Sequence, residues 1–194
     1  MSTLLTPMDE NEPDLGRRTL LKAGCLLGLL AATPLSALAS DFWEQPRRLR
    51  LYRPTTRESA DVVYWEGGQL NYDGYYQACC LLRDTHQNQA VQMDSTLLDV
   101  LCGVQGYYKA YGFDSPILIN SGFRTVKTNN SLLSEGAAKN SMHLYGKAAD
   151  IRMPNIPAKH LGQVGLYFRQ GGVGFYESKN FVHLDTGRLR VWRG

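Results

Sequence analysis

Three short polar interruptions in otherwise strand-like sequence carry the residues of this chain that could do chemistry. They are Ser121-Gly122-Phe123-Arg124-Thr125, the run from Ser141 through His143 to Asp150, and Phe181-Val182-His183-Leu184-Asp185. Two imidazoles and a carboxylate, from His143, His183 and Asp150, form a set that zinc accepts, because two nitrogens and one oxygen leave a fourth tetrahedral position for water. Strand geometry supports the set, since alternate residues of a strand share a face. His183 and Asp185 should point one way with Val182 and Leu184 packed behind them. Asp150 should point with Ala148 and Arg152 while Ala149 and Ile151 face the core. Taken singly, each residue also has a plainer reading. A lone strand histidine is more often a satisfied structural group than a ligand, Asp150 could pair with Arg152, and Arg124 could sit in a surface salt bridge. His86 and His160 have no motif around them and read as structural or surface residues.

The elements that must position this set follow from periodicity and punctuation. Arg47 to Tyr52 alternates basic and apolar residues, and Asp61 to Trp65 runs into Glu66-Gly67-Gly68, which predicts an early β-hairpin. A helix is expected over about Asp73 to Arg83, and another over Ser95 to Tyr111. In the second, Asp94 can cap, Leu97, Leu101, Val104, Tyr108 and Tyr111 recur at helical spacing, and Gly112 stands where a left-handed cap belongs. Ile117-Leu118-Ile119, between Pro116 and Asn120-Ser121-Gly122, reads as a buried strand ending in a loop. Further strands are expected at Ala148 to Arg152, Gly172 to Tyr176, Phe181 to Asp185 and Leu189 to Trp192, with a helix over Pro157 to Gln170. Helices early and strands late predict an α+β fold, one domain with its helices packed on a small antiparallel sheet.

The spaced pattern Ser141-x-His143-x-x-Gly146-x-Ala148-x-Asp150, followed at a distance by a strand holding His183, resembles the D-alanyl-D-alanine zinc metallopeptidases. Ser121-Gly122-Phe123-Arg124, Lys127-Thr128-Asn129, Ala138 to His143 and Asn180 to Gly187 are closer still to its YcbK-like branch, the murein endopeptidase K group. The resemblance runs from about Leu49 to Trp192. It implies one zinc per chain, held by His143, Asp150 and His183, with Arg124 near the substrate carbonyl or carboxylate and Ser141 as a hydrogen-bond donor to substrate. It implies a zinc-activated water that hydrolyses peptide cross-links of peptidoglycan, in which a guanidinium stabilises the oxyanion. A D-Ala carboxypeptidase of the same family is the nearest alternative, since the two differ in whether loops such as Ser131 to Asn140 close the pocket. A murein-binding regulator with a purely structural zinc is the alternative from another class.

One position departs from the wider family, which often places a Glu or Asp three residues before the last zinc-binding histidine. This chain has Asn180 there, and an amide cannot take a proton. Asp185 then has two readings, as the catalytic base or as the carboxylate that orients the imidazole of His183. Glu177 is a further acid or base candidate.

Ahead of the domain, residues 1 to 16 are polar and acidic, and Arg17-Arg18-Thr19-Leu20-Leu21-Lys22 leads into an apolar run from Ala23 to Ala32. Ten residues span roughly 15 Å as helix, where a membrane crossing needs about twenty. With the small-residue end Ala37-Leu38-Ala39, the segment reads as a twin-arginine export signal over residues 1–39, leaving a domain over 40–194 and no stable membrane span after cleavage. The expected location is the periplasm or cell envelope, and the expected partners are the twin-arginine export machinery and a peptidoglycan peptide.

Composition sets the outer bounds. The chain has 194 residues, 43% of them hydrophobic and 20% charged, with a formal charge of +3. This suits one globular core and excludes a disordered or collagen-like chain. Ser40 to Gly194 carries 18 basic and 14 acidic residues, a net +4 that suits a polymer rich in carboxylates. The basic residues are dispersed, with Arg47, Arg48 and Arg50 the one cluster, so nucleic acid is not an expected partner. Oligomeric state is not visible in the sequence. Of four cysteines, Cys25 falls in the signal. Adjacent cysteines rarely bond to each other, so at most one disulfide is expected, from Cys102 to Cys79 or Cys80.

Overall fold

The computed structural model describes residues 42–194. The expected export signal, Cys25 included, lies outside the described residues. Phe42 to Glu44 are helical, and Gln45–Gly194 forms a compact unit of its own. No helix among the described residues is long and apolar enough to cross a membrane.

The alternation read near the start of this unit becomes the hairpin of β1 (Arg47–Arg53) and β2 (Glu58–Glu66). Leu49 and Leu51 of β1 and Val62 and Tyr64 of β2 are buried, and the residues between them face outward. A turn through Gly67 and Gly68 adds the short β3 (Gln69–Leu70). Helix α1 (Tyr72–Leu81) starts at Asn71, whose side chain accepts from the Gly74 N–H. Helix α2 (Ser95–Ala110) is capped by Asp94 through the Thr96 N–H, and its buried stripe includes Leu97, Leu101, Val104 and Tyr108. Gly112, at φ 85°, follows its C-terminal cap.

The rest of the chain supplies β4 (Ile117–Ser121), α3 (Val126–Ser131), β5 (Ala148–Arg152), α4 (Ala158–Phe168), β6 (Gly172–Tyr176), β7 (Phe181–Asp185) and β8 (Arg190–Arg193). Among the described residues, eight strands join one sheet in the order β3-β2-β1-β4-β5-β7-β6-β8. The fold is α+β with a predominantly antiparallel sheet, larger than expected and with two parallel pairings, β1 with β4 and β6 with β8. Both parallel pairs have a topological cause. The β1 to β4 connection carries the hairpin partner and two helices, a crossover long enough to return the chain in the same direction. In the second pair, β7 folds back on β6 before β8 crosses to the other edge of β6.

One face of the central strands is the core. Ile117, Ile119, Ala149, Ile151, Val182 and Leu184 have at most 1% of their surface exposed. The other face of β5 and β7 carries Asp150, His183 and Asp185, so burying the apolar alternates is what aims the polar ones.

The expected bridge between α1 and α2 does not form, and Cys79, Cys80 and Cys102 are all free thiols. The two helices direct their sulfurs to different neighbours. The Cys79 sulfur accepts from the Met93 N–H at 3.4 Å, and that of Cys102 lies 3.5 Å from the Arg48 carbonyl on β1. Burial pushes the Cys102 thiol up to about 11 and raises that of Cys79, so both are poor nucleophiles.

Candidate metal centre

Antiparallel pairing of β5 with β7 sets Asp150 directly opposite His183. On its other edge β5 pairs with β4, where a register shift between Ile119 and Ser121 brings Ser121 opposite Asp150. His143 comes from a 3-10 turn, Met142–Tyr145, immediately before β5. Ser141 caps that turn, accepting from the His143 N–H at 3.4 Å, and Gly146 ends it at φ 66°. The loop after β4 is laced to the same turn: the Arg124 N–H donates to the His143 carbonyl at 3.1 Å.

The three side chains converge. His143 Nε2 lies 3.2 Å from Asp150 Oδ1, His183 Nδ1 lies 2.9 Å from the same oxygen, and the two nitrogens are 3.1 Å apart. One ligand atom from each residue falls within 4.8 Å of the others, and all three residues are buried.

The opposite edge of each imidazole fixes its tautomer. His143 Nδ1 donates to the Gly122 carbonyl at 2.6 Å, and His183 Nε2 donates to Asp185 Oδ2 at 2.8 Å. A neutral ring so held turns a lone pair toward the Asp150 carboxylate, and a protonated one donates to it instead. Three acceptors aimed at one point repel one another, and a cation among them converts that repulsion into three bonds. Two nitrogens and an oxygen, with their outer edges already hydrogen-bonded, are a donor set that fits zinc.

Electrostatics follow the same arrangement. Burial opposes ionisation of Asp150, but His143 and His183 outweigh it and hold the carboxyl far below the usual carboxylate range. Burial pushes the His143 pKa down. Burial also works against charging His183, but Asp150 and Asp185 outweigh it and raise its pKa. Burial likewise opposes ionisation of Asp185, and His183, Arg190 and the N–H groups of Gly187 and Gly172 overcome it, keeping the group an anion.

Asp185 has no free acceptor facing outward. Its Oδ1 accepts from the N–H groups of Gly172 and Gly187 at 3.0 and 2.8 Å and from Arg190 Nη1 at 3.0 Å, while Oδ2 accepts from His183 and, at 2.6 Å, from Arg190 Nη2. Its side chain has 0% exposure. Asn180 is engaged elsewhere than with the three candidate ligands: at φ 49° its Oδ1 accepts from the Ala158 N–H at the start of α4. Glu177 pairs with Arg193 on the surface.

Arg124 is not a surface residue. Its side chain is 13% exposed, its Nε donates to Ser121 Oγ at 2.8 Å, and its Nη2 is ion-paired to Asp150 Oδ2. Asp150 thus divides its oxygens, Oδ1 toward the histidines and Oδ2 toward the guanidinium. The loop bearing Arg124 is tied down by Asp84, which accepts from the N–H and hydroxyl of Thr125 at 2.9 and 2.8 Å.

The set opens into a cavity of about 480 Å³ whose lining includes Ser141, Arg124 and the three candidate ligands. Of its two further walls, the first belongs to the loop Ser131 to Asn140 that the sequence marks as a pocket-closing element, and the second is not marked in the sequence as part of a site. Leu132 to Asn140 supplies one, and Tyr176, Lys179, Phe181, Arg190 and Trp192 supply the other. The Trp192 indole lies 5.1 Å from the His183 ring and donates to the Tyr176 hydroxyl at 3.1 Å, and Tyr176 stacks on Phe181 at 4.4 Å. Arg190 and Trp192 reach this face because their partners in register are Gly172 and Gly174. A Cβ at Gly174 would lie 2.5 Å from the indole, and one at Gly172 would lie 2.5 Å from the Arg190 guanidinium and 2.7 Å from Asp185. The signal in the sequence was the matched period of two, Gly172-x-Gly174 and Arg190-x-Trp192.

Residues 42–192 match the sequence profile of the peptidoglycan L,D-endopeptidase MepK family. The chain belongs to the MepK family. The match spans every residue of the convergent set and ends at Trp192. Peptidoglycan L,D-endopeptidase MepK of Escherichia coli K12 is 34% identical over 181 residues, covering 92% of this chain and 98% of that protein. The probable peptidoglycan L,D-endopeptidase MepK of Haemophilus influenzae is 30% identical over 189 residues, covering 96% and 98%. A zinc D-Ala-D-Ala carboxypeptidase of Streptomyces albus G is 33% identical over 82 residues, 41% of this chain and 31% of that protein. Similarity to MepK proteins is thus end to end, and to the carboxypeptidase it is partial.

Proposed function

We propose that this chain is a zinc-dependent murein endopeptidase that hydrolyses peptide cross-links of peptidoglycan. The observation that carries the reading is the convergence of His143 Nε2, Asp150 Oδ1 and His183 Nδ1 at the floor of a cavity, in a chain of the MepK family. Those residues would hold one zinc. When bound, the metal would polarise the scissile carbonyl and make a water acidic enough to attack near neutral pH.

The remaining roles belong to the chain itself. Arg124, beside Asp150, keeps Oδ2 occupied so that Oδ1 alone is presented to the cation, and its guanidinium faces the cavity where a carbonyl oxygen would gain charge. Ser141, capping the turn of His143, presents its hydroxyl to the substrate. Asp185 orients His183: its carboxylate is saturated and enclosed, which supports the orienting role over that of a base. Endopeptidase is preferred to carboxypeptidase because the full-length matches are MepK proteins. Residues 1–39 act as a twin-arginine signal that delivers the domain to the periplasm, where its substrate is.

The test is incubation of the purified protein with defined cross-linked muropeptide dimers, followed by mass spectrometry. Monomers should appear, a chelator should stop their formation and His143→Ala should yield none. Intact dimers after incubation with folded, zinc-loaded protein would refute the hydrolase.

A further inference from the structure

We infer that the two walls of the cavity read opposite charges on one peptide, Lys179 binding a carboxylate and Glu135 an amine beside the scissile bond. The inference rests on the cross-link hydrolase reading and adds to it the residues that orient the substrate. The lining is electrostatically sorted. Among the residues that line the cavity, the wall from Leu132 to Asn140 has one carboxylate, Glu135, and no cation, with the exposed Lys139 outside the lining, and the wall from Tyr176 to Trp192 has Lys179 and Arg190 and no carboxylate, with Asp185 outside the lining.

Most charges of the cavity are already engaged. Arg124 is paired with Asp150, and both terminal nitrogens of Arg190 are on Asp185. Asp150 also faces the two histidines. Glu177, next in sequence to the second wall, pairs with Arg193 and does not line the cavity. Among the described residues, Lys179 and Glu135 are exposed and their side chains have no hydrogen-bond or ion-pair partner. They are the two charges left to meet a ligand, and they come from different walls. A peptide containing diamino acids carries both complements, a free carboxylate and a free amine near one amide. Presented to these walls, it can lie in one direction with both pairs formed and in the reverse direction with both opposed, which fixes which side of the amide faces the metal set.

The test uses the full chain, Lys179→Met and Glu135→Gln, with three cross-link peptides of one sequence: both charges free, the carboxylate amidated, and the amine acetylated. KM and kcat are measured with zinc, and binding is measured by calorimetry on the chelated protein, where nothing turns over. Lys179→Met should raise KM and Kd about fivefold for the free carboxylate peptide and leave the amidated peptide unchanged, as expected for loss of one solvent-exposed charge contact. Glu135→Gln should show the mirror pattern with the acetylated peptide. Equal effects on all three peptides, or none, would overturn the inference. So would a fall in kcat at constant KM for Glu135→Gln, which would make Glu135 a proton-transfer residue. Charge-selective binding without any cleavage would leave the recognition standing and reject the hydrolase instead.

Discussion

Arg190 grips Asp185 through two terminal nitrogens, at 2.6 and 3.0 Å, on the far side of the carboxylate from the cavity-facing edge of His183. Three links in series, guanidinium to carboxylate to imidazole to ligand atom, fix the orientation of the last candidate ligand. A side chain on the edge strand β8 thereby controls a nitrogen on β7, two strands away in the sheet.

Asp185→Ala should weaken zinc binding about 10- to 100-fold while the protein stays folded, because an imidazole loses its orienting partner. Titration of the protein against a competing chelator checks this. Unchanged zinc affinity with turnover abolished would assign Asp185 to proton transfer.

Gly174→Ala should displace the Trp192 indole, which lies 2.5 Å from where the methyl group would sit. Overpacking of this kind costs about 1–3 kcal/mol. The thermal midpoint should fall and the tryptophan fluorescence should shift, and Trp192→Ala in the same background should relieve part of the loss.

Acid should weaken the loop that carries Arg124. Burial opposes ionisation of Asp84, but hydrogen bonds from Thr128, Thr125 and Gln87 outweigh it and bring its pKa down to about 2. A folded-state pKa below the unfolded value of about 3.9 contributes stability that is fully present above the unfolded value and is lost as pH falls toward the folded one. The contribution is roughly 2–3 kcal/mol by linkage. Denaturant titrations between pH 5 and 2 should show a shallower decline for Asp84→Asn, which starts less stable at neutral pH.

A reducing agent should leave the thermal midpoint unchanged, since Cys79, Cys80 and Cys102 are thiols. Thiol titration of the unfolded protein without residues 1–39, under non-reducing conditions, should count all three. A midpoint lowered by reduction would reveal the bridge that the structure lacks.

Zinc should raise the thermal midpoint and a chelator should reverse the rise, because a cation bound only by the folded arrangement stabilises it by mass action. His183→Ala should abolish the increment.

Much of this architecture could be read from local pattern. The period of two puts His183 with Asp185 and Asp150 away from Ala149 and Ile151, and the structure has them on those faces. Capping chemistry located α2 to within a residue, because Asp94 and Gly112 act on their immediate neighbours. What local pattern does not carry is partnership between distant segments. Nothing around Arg190 or Trp192 announces that β8 lies parallel to β6, or that Gly172 and Gly174 are bare to receive them. The same gap underlies the expected disulfide: the sequence shows two helices bearing cysteines but not which of their faces meet. Likewise the sequence shows at Asn180 only an amide where the wider family often has an acid, and its actual partner, the first turn of α4, is visible only in space.

The edge position of β8 has a consequence for the order of assembly. The three candidate ligands are complete once Asp185 has been placed, yet the clamp on Asp185 and the indole beside His183 arrive only with the last strand. A chain with β8 undocked would keep all three donors and the Asp185 contact to His183 but lack the Arg190 clamp and the indole. Tight capture of the ion becomes a report that the polypeptide has finished folding.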